Sequence, residues 1–132
     1  MDSKTFSLLG MTILIVDDEP DILEITKLIL SHYQAQVVAV ASAAEGLLQM
    51  QQNRFNIIIS DISMPHMDGY QFIKEVRKLP FHQGGQTPAI AMTAFNRPTD
   101  KAKAINAGFQ SHLSKPVDLK VLLDMVKQMA SK

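Results

Sequence analysis

The sequence has no cysteine, no long apolar run and no net charge. Without cysteine, the chain has no disulfide, thiolate nucleophile or cysteine-ligated metal. No apolar stretch reaches the roughly 18 residues that a membrane-spanning helix needs. The first ten residues, MDSKTFSLLG, lack the basic start and long apolar stretch of a signal peptide. We therefore expect a cytoplasmic protein that does not bind membranes.

The zero net charge hides an uneven distribution along the 132 residues, a length that fits one domain. Residues 1–64 carry 3 basic and 8 acidic side chains, whereas residues 97–132 carry 7 basic and 3 acidic ones. A nucleic-acid interface would need a denser basic patch than this, so we expect no direct nucleic-acid binding. The acidic half of the chain indicates a cation site.

Apolar periodicity alternates along the chain between the strand and the helix pattern. It predicts strands over 12–16, 36–40, 55–60, 88–92 and 111–113, and helices over 20–32, 43–52, 70–79, 98–107 and beyond Asp118. Such alternation predicts an α/β fold, with a five-stranded parallel doubly wound sheet and helices on both faces. We assign residues 12–131 to this domain and residues 1–11 to an N-terminal extension or linker stub.

Charged and hydroxyl side chains follow four of the five predicted strands. Asp17 and Asp18 follow the first strand, Asp61 the third, Thr93 the fourth and Lys115 the fifth. Each has a purely structural explanation, such as helix capping by aspartate. However, open parallel sheets bind ligands outside the carboxyl ends of their strands, and all five residues fall there. We therefore predict one site at this edge.

The residue types at this edge suit phosphoryl transfer. Three clustered carboxylates form a hard oxygen site of the kind that Mg²⁺, or Mn²⁺, prefers, and the cation would offset their mutual repulsion. A carboxylate such as Asp61 can attack phosphorus and form an aspartyl-phosphate. Lys115 and the Thr93 hydroxyl would then balance charge on the phosphoryl oxygens.

Four stretches carry a resemblance to a known family: "ILIVDDEP", "IIISDISMPHMDG", "AIAMTA" and "HLSKP". Over residues 13–116 the sequence resembles the response-regulator receiver domain of bacterial two-component signalling. The resemblance implies a flavodoxin-like sheet of order 2-1-3-4-5, the order that the chemotaxis receiver also has. It also implies a phosphoacceptor signalling domain rather than an enzyme.

The resemblance assigns roles to individual residues. It implies that Asp61 is the phosphoacceptor and a metal ligand. Asp17 and Asp18 would hold Mg²⁺, together with the backbone carbonyl of Ser63. The implied donor is a sensor histidine kinase or a histidine phosphotransfer domain, and the output partner is not identified. The chain would be either a stand-alone receiver or the receiver of a hybrid histidine kinase.

Other residues would tune the response. By resemblance, Thr93 and Lys115 contact the phosphoryl group, and movement of Thr93 is followed by an aromatic residue on the fifth strand. That residue is commonly Tyr or Phe, but here it is His112. Ser63 and Phe95 would flank the path of the attacking water, so we expect slow self-dephosphorylation.

Two other classes of protein share parts of this pattern. An aspartate-nucleophile phosphatase of the haloacid dehalogenase type would need a second aspartate two residues after the nucleophile, where Ser63 stands. A flavodoxin-like electron carrier would need a hydroxyl- and glycine-rich phosphate loop after the first strand, where the sequence has DDEP. Both fit worse than a receiver domain.

Overall fold

A computed structural model describes residues 6–94 and 97–130. Its sheet has five strands: β1 (Thr12–Val16), β2 (Gln36–Val40), β3 (Ile57–Asp61), β4 (Ala89–Thr93) and β5 (Ser111–Ser114). The strands lie in the order β2-β1-β3-β4-β5, and all neighbouring strands are parallel. The predicted fold class and the strand order that the resemblance implied are both confirmed.

Helices connect the strands: α1 (Pro20–His32), α2 (Ala43–Gln52), α3 (Gly69–Arg77), α4 (Pro98–Ala107) and α5 (Leu119–Ala130). Ser42 caps α2 by accepting a hydrogen bond from the Glu45 N–H. Gly108, at a φ of 133°, ends α4 in a conformation that favours glycine. In the described part of the chain, no helix is both long and apolar enough to cross a bilayer.

The core has two layers, one on each face of the sheet. Leu14 and Val16 of β1 point into the layer that contains Phe72 of α3. Ile13 and Ile15, at the alternate positions, point into the opposite layer with Leu30 of α1 and Leu122 of α5. Burial on both faces explains why the central strands are apolar throughout.

Some predicted boundaries were wrong by one or two residues. The third strand begins at Ile57 and ends at Asp61, and the fourth ends at Thr93, so both site residues belong to their strands. The reason is pairing: Asp61 lies opposite Met92, and Thr93 lies opposite Ser114. These neighbours continue the ladder past the point where the local apolar pattern stops.

The predicted core face of the last helix also needs correction. Apolar periodicity in the sequence predicts a core face of Leu119, Leu122, Val126 and Met129. However, Leu119 is 42% exposed, and Leu123 is buried instead. Leu119 starts the helix and lies beside Ile22 and Ile25, along an open groove between α1 and α5. Helical periodicity predicts which face of α5 is apolar but not how deeply each residue on it is buried, so it misplaces Leu119.

Residues 6–11 pack against α1 and α5 at the end of the sheet opposite the predicted site. Leu8 is fully buried, and its N–H donates to the Tyr33 carbonyl over 2.7 Å. The Phe6 ring meets the Tyr33 ring edge-on, with centroids 5.3 Å apart. Lys127 Nζ donates to the Ser7 carbonyl over 2.9 Å. Our assignment of residues 1–11 to an extension or linker stub stays a prediction.

Candidate functional site

Asp17 lies directly after β1 and is completely buried. Its N–H donates to the Val40 carbonyl over 3.1 Å, which continues the pairing with β2 by one residue. Its Oδ1 accepts the Glu19 N–H over 2.9 Å, and its Oδ2 lies 3.1 Å from Lys115 Nζ. A backbone N–H therefore holds Asp17 Oδ1 in place, and Asp17 Oδ2 faces the Lys115 ammonium.

Asp61 is the last residue of β3 and is buried at the same edge. Its Oδ1 lies 3.3 Å from Lys115 Nζ. Burial raises the pKa of Asp61, the charge of Asp17 raises it further, and Lys115 opposes both, with a net rise from 3.8 to about 6. The ionised carboxylate is thus poorly stabilised by the protein alone.

Lys115 brings the carboxylates together. Its N–H donates to the Thr93 carbonyl over 2.8 Å, which extends the pairing of β4 with β5, and its peptide bond to Pro116 is cis. Burial lowers the pKa of Lys115, but hydrogen bonds to Glu19 and Asp17 outweigh this effect, so the pKa is raised. Lys115 is therefore a firmly charged cation at the centre of the site.

Two buried carboxylate oxygens, Asp18 Oδ1 and Asp61 Oδ2, lack a hydrogen-bond donor in the described part of the protein. Asp17 Oδ2 also accepts no well-directed hydrogen bond, although the Lys115 ammonium lies 3.1 Å from it. Buried polar atoms without partners are rare and costly, and a bound ion is one way to satisfy them. Carboxylate oxygens of Asp17, Glu19 and Asp61 also lie within 4.8 Å of one another. This all-oxygen set fits a hard cation such as Mg²⁺ or Mn²⁺.

The other predicted residues differ in how deeply they are buried. Thr93 is buried at the end of β4, and Asp18 is half-buried beside Asp17. Ser63 is exposed in the turn after β3, and His112 is half-buried in β5. Phe95, which we predicted to tune the lifetime of the phosphorylated state, lies outside the described residues.

The structure adds one residue that sequence reasoning missed. Glu19 Oε1 lies 2.9 Å from Lys115 Nζ, closer than either aspartate. The available signal was its place as the third acid of DDEP, next to two predicted ligands. The sequence pattern alone indicates only that Glu19 belongs to the turn into α1.

Gly69 allows α3 to begin next to Asp61. The Gly69 N–H donates to the Ile62 carbonyl over 2.8 Å. A Cβ atom at Gly69 would lie 2.3 Å from the Asp61 carbonyl oxygen and 2.8 Å from Ile62 Cα. Only glycine permits this close approach, so the turn after β3 is part of what holds Asp61 in place.

Sequence relatives include proteins of two very different lengths. An uncharacterised 14.6 kDa protein from Leptolyngbya boryana is 38% identical over 122 residues, which cover 92% of each chain. The signal transduction histidine-protein kinase BarA of Escherichia coli is 35% identical over 112 residues. That match covers 85% of this chain but only 12% of BarA.

Solved structures share the whole fold. A putative response regulator from Chloroflexus aurantiacus superposes with a TM-score of 0.86 at 31% identity, covering 92% of this chain and 98% of that one. The receiver domain of the sensor histidine kinase PA1611 from Pseudomonas aeruginosa gives a TM-score of 0.85 at 26% identity, covering 93% and 99%. That structure has a magnesium ion coordinated in its active site cleft.

The family model for the response regulator receiver domain matches residues 13–127. This range contains β2 to β5, all of β1 except Thr12, and α5 as far as Lys127. It also contains the carboxylates, Thr93 and Lys115 at the carboxyl edge of the sheet. The chain therefore belongs to the response regulator receiver domain family.

Proposed function

We propose that this receiver domain accepts a phosphoryl group on Asp61 and passes the signal on by a change in its protein-binding surface. The observation that carries the proposal is the buried Asp61 carboxylate, 3.3 Å from the Lys115 ammonium at the sheet edge where Asp17 also lies. A nucleophile, a fixed cation and partnerless carboxylate oxygens meet there.

The chemistry of this chain's residues is simple. An oxygen of the Asp61 carboxylate forms a bond to phosphorus while the bond between phosphorus and the donor's leaving atom breaks, and the leaving group keeps that electron pair. Lys115 balances negative charge on the phosphoryl oxygens, and Thr93 offers its hydroxyl as a donor. Asp17, Asp18 and Asp61 would hold Mg²⁺, with the Ser63 carbonyl, and the bound cation supplies further charge neutralisation.

Support for the magnesium assignment comes from two sources. The carboxylates of Asp17, Asp18 and Asp61 form an all-oxygen donor set, in which Asp18 Oδ1 and Asp61 Oδ2 have no hydrogen-bond donor in the described part of the protein. The PA1611 receiver, a structural relative at 26% identity, has magnesium in its active site cleft. Mn²⁺ would fit the same donors, since both are hard cations that favour oxygen.

The donor would be a sensor histidine kinase or a histidine phosphotransfer protein. BarA supports this assignment, since it is named as a signal transduction histidine-protein kinase and contains a segment similar to this chain. The proposed location is the cytoplasm. The proposal implies a signalling role in which the aspartyl-phosphate persists, rather than an enzyme that turns over a substrate.

Thr93 and His112 are the proposed route from the site to the surface. Thr93 ends β4, and His112 lies in β5 opposite Ala91. Replacing His112 with alanine should preserve phosphorylation but reduce the NMR shift changes that beryllofluoride causes in α4 and β5. Unchanged shifts would exclude His112 from this role.

Incubation with acetyl phosphate and Mg²⁺, followed by intact-mass measurement, tests the proposal. The wild-type protein should gain one phosphoryl group, and acetate should leave. Asp61→Asn keeps the size of the side chain and should gain none. Labelling of that variant at the wild-type rate would exclude Asp61, and continuous turnover of the donor would favour a phosphatase instead.

A further inference from the structure

Three carboxylates share the Lys115 ammonium. Its Nζ lies 2.9 Å from Glu19 Oε1, 3.1 Å from Asp17 Oδ2 and 3.3 Å from Asp61 Oδ1. The contact with Glu19 is a hydrogen bond and the other two are ion pairs, so three carboxylates already surround an ammonium that has three hydrogens. Any contact with a phosphoryl oxygen must therefore replace one of them.

The three contacts differ in what their loss would cost. The side chains of Asp17 and Asp61 are 0% and 3% exposed, and neither can turn towards water. Loss of the ammonium would leave an uncompensated buried charge on Asp17, which is strongly unfavourable, and a buried carbonyl oxygen without a donor on phosphorylated Asp61. The Glu19 side chain is 58% exposed, so water can solvate its carboxylate once Lys115 moves away.

We propose that Glu19 is the resting-state partner of Lys115 and releases the ammonium when a phosphoryl group arrives on Asp61. This inference rests on the proposed function of Asp61. Glu19 takes no part in bond making and transfers no proton, so it is a positioning residue that acts through Lys115. Its contact joins the turn after β1 to the turn after β5, which are 96 residues apart in sequence.

Glu19 also adds negative charge to the site. One of its carboxylate oxygens lies within 4.8 Å of oxygens of Asp17 and Asp61. At that distance the carboxylate attracts a cation to the site and repels an anionic phosphodonor. Removing the charge should therefore have opposite effects on the two ligands: weaker Mg²⁺ binding and easier entry of acetyl phosphate.

The direct test is a crystal structure of the wild-type protein with Mg²⁺ and beryllofluoride. We expect Lys115 Nζ to contact a fluorine of the mimic and to lie more than about 4 Å from the Glu19 carboxylate, beyond ion-pair distance. If the mimic sits on Asp61 while Lys115 keeps its contact with Glu19, this inference is wrong and the proposed function stands. If the mimic does not bind Asp61, the proposed function fails as well.

Kinetics with acetyl phosphate give a second test. At saturating Mg²⁺, Glu19→Gln should lower the donor concentration for half-maximal rate by about two- to fivefold, the range expected for one exposed charge. Mg²⁺ affinity, measured by calorimetry without donor, should fall by a similar factor. An unchanged or higher half-maximal concentration would overturn the inference.

Glu24→Gln is the matched control. Glu24 is exposed on α1, and among the described residues it forms no ion pair. Its substitution removes the same charge from a nearby position without touching Lys115. The half-maximal donor concentration and the Mg²⁺ affinity of Glu24→Gln should both stay at wild-type values. If the two substitutions have equal effects, Glu19 acts through net charge alone and the inference is wrong.

Discussion

Gly69 has no side chain, and this allows the start of α3 to lie against the backbone of Asp61. A Cβ atom there would meet backbone, the Asp61 carbonyl at 2.3 Å, whereas one at Gly46 would meet only side chains, at 2.9 Å from Phe72. Backbone cannot move aside as cheaply as a ring. We expect Gly69→Ala to lower the free energy of unfolding by about 2 kcal/mol, as overpacked sites do, and to slow phosphorylation.

Gly46→Ala is the control for that substitution, because it adds the same methyl group to another helix. Urea unfolding and the acetyl phosphate reaction should be measured on both variants. Gly46→Ala should keep the wild-type phosphorylation rate. If Gly69→Ala also keeps it, the close approach of α3 does not position the nucleophile.

The pKa of Asp61 makes stability depend on pH in an unusual direction. A carboxyl whose pKa rises from 3.8 to about 6 on folding holds its proton more tightly in the native state. Its contribution to stability is therefore complete below about pH 4 and is lost as pH rises through 6. By linkage the loss is roughly 3 kcal/mol at most.

Asp61→Asn isolates this effect, because the other carboxyls titrate in both proteins. In the presence of a chelator, the wild-type protein and Asp61→Asn should have similar free energies of unfolding near pH 4. At pH 7 the variant should be more stable than wild type by roughly 1–3 kcal/mol. A difference that does not change with pH would show that Asp61 ionises normally in the fold.

At the scale of elements, Leu8 secures the N-terminal segment to α1 and α5. It is fully buried, whereas its neighbour Leu9 is 76% exposed. Leu8→Ala should cost about 2–4 kcal/mol of unfolding free energy, as for other buried leucines. It should also speed amide exchange near Lys127 in α5, whose ammonium contacts the Ser7 carbonyl.

Leu9→Ala is the matched control and should change the free energy of unfolding by less than about 0.5 kcal/mol. Phosphorylation should be unaffected in both variants, because this segment lies at the opposite end of the sheet from Asp61. Equal stability of the two variants would mean that residues 6–11 do not contribute to the fold in solution.

Elements also show what local sequence can and cannot specify. The bounds of β1 and α1 were predicted to the residue, because Pro20 marks the first turn of the helix and apolar residues end at Val16. The end of β3 was missed, because Asp61 is in the strand only through its neighbour β4. The local apolar pattern does not predict how strands that are distant in sequence pair with each other.

The site shows the same limit. Asp17, Asp61 and Lys115 were predicted to meet because the carboxyl ends of parallel strands share one edge, and their ion pairs show that they do. Glu19 was missed because the positions of the strand ends do not predict which residues a long side chain in the following turn will contact. Its contact with Lys115 depends on the paths of two turns.

For the whole molecule, binding of a cation at the site should raise the stability of the native state. The acidic half of the chain concentrates carboxylates that lack partners, and a cation that binds only the native state stabilises it by mass action. At a Mg²⁺ concentration of about 100 times Kd, the gain is roughly 2.7 kcal/mol. For a domain of this size, the melting temperature should rise by roughly 5–15 °C.

Thermal unfolding at constant ionic strength checks this expectation. Asp18→Asn removes a proposed ligand and should abolish most of the rise in melting temperature with Mg²⁺. Asp21→Asn removes the same charge from an exposed position in the first turn of α1 and should keep the rise. If the melting temperature of the wild-type protein stays constant from zero to millimolar Mg²⁺, the carboxylates at this edge do not form a cation site, and their partnerless oxygens need another explanation.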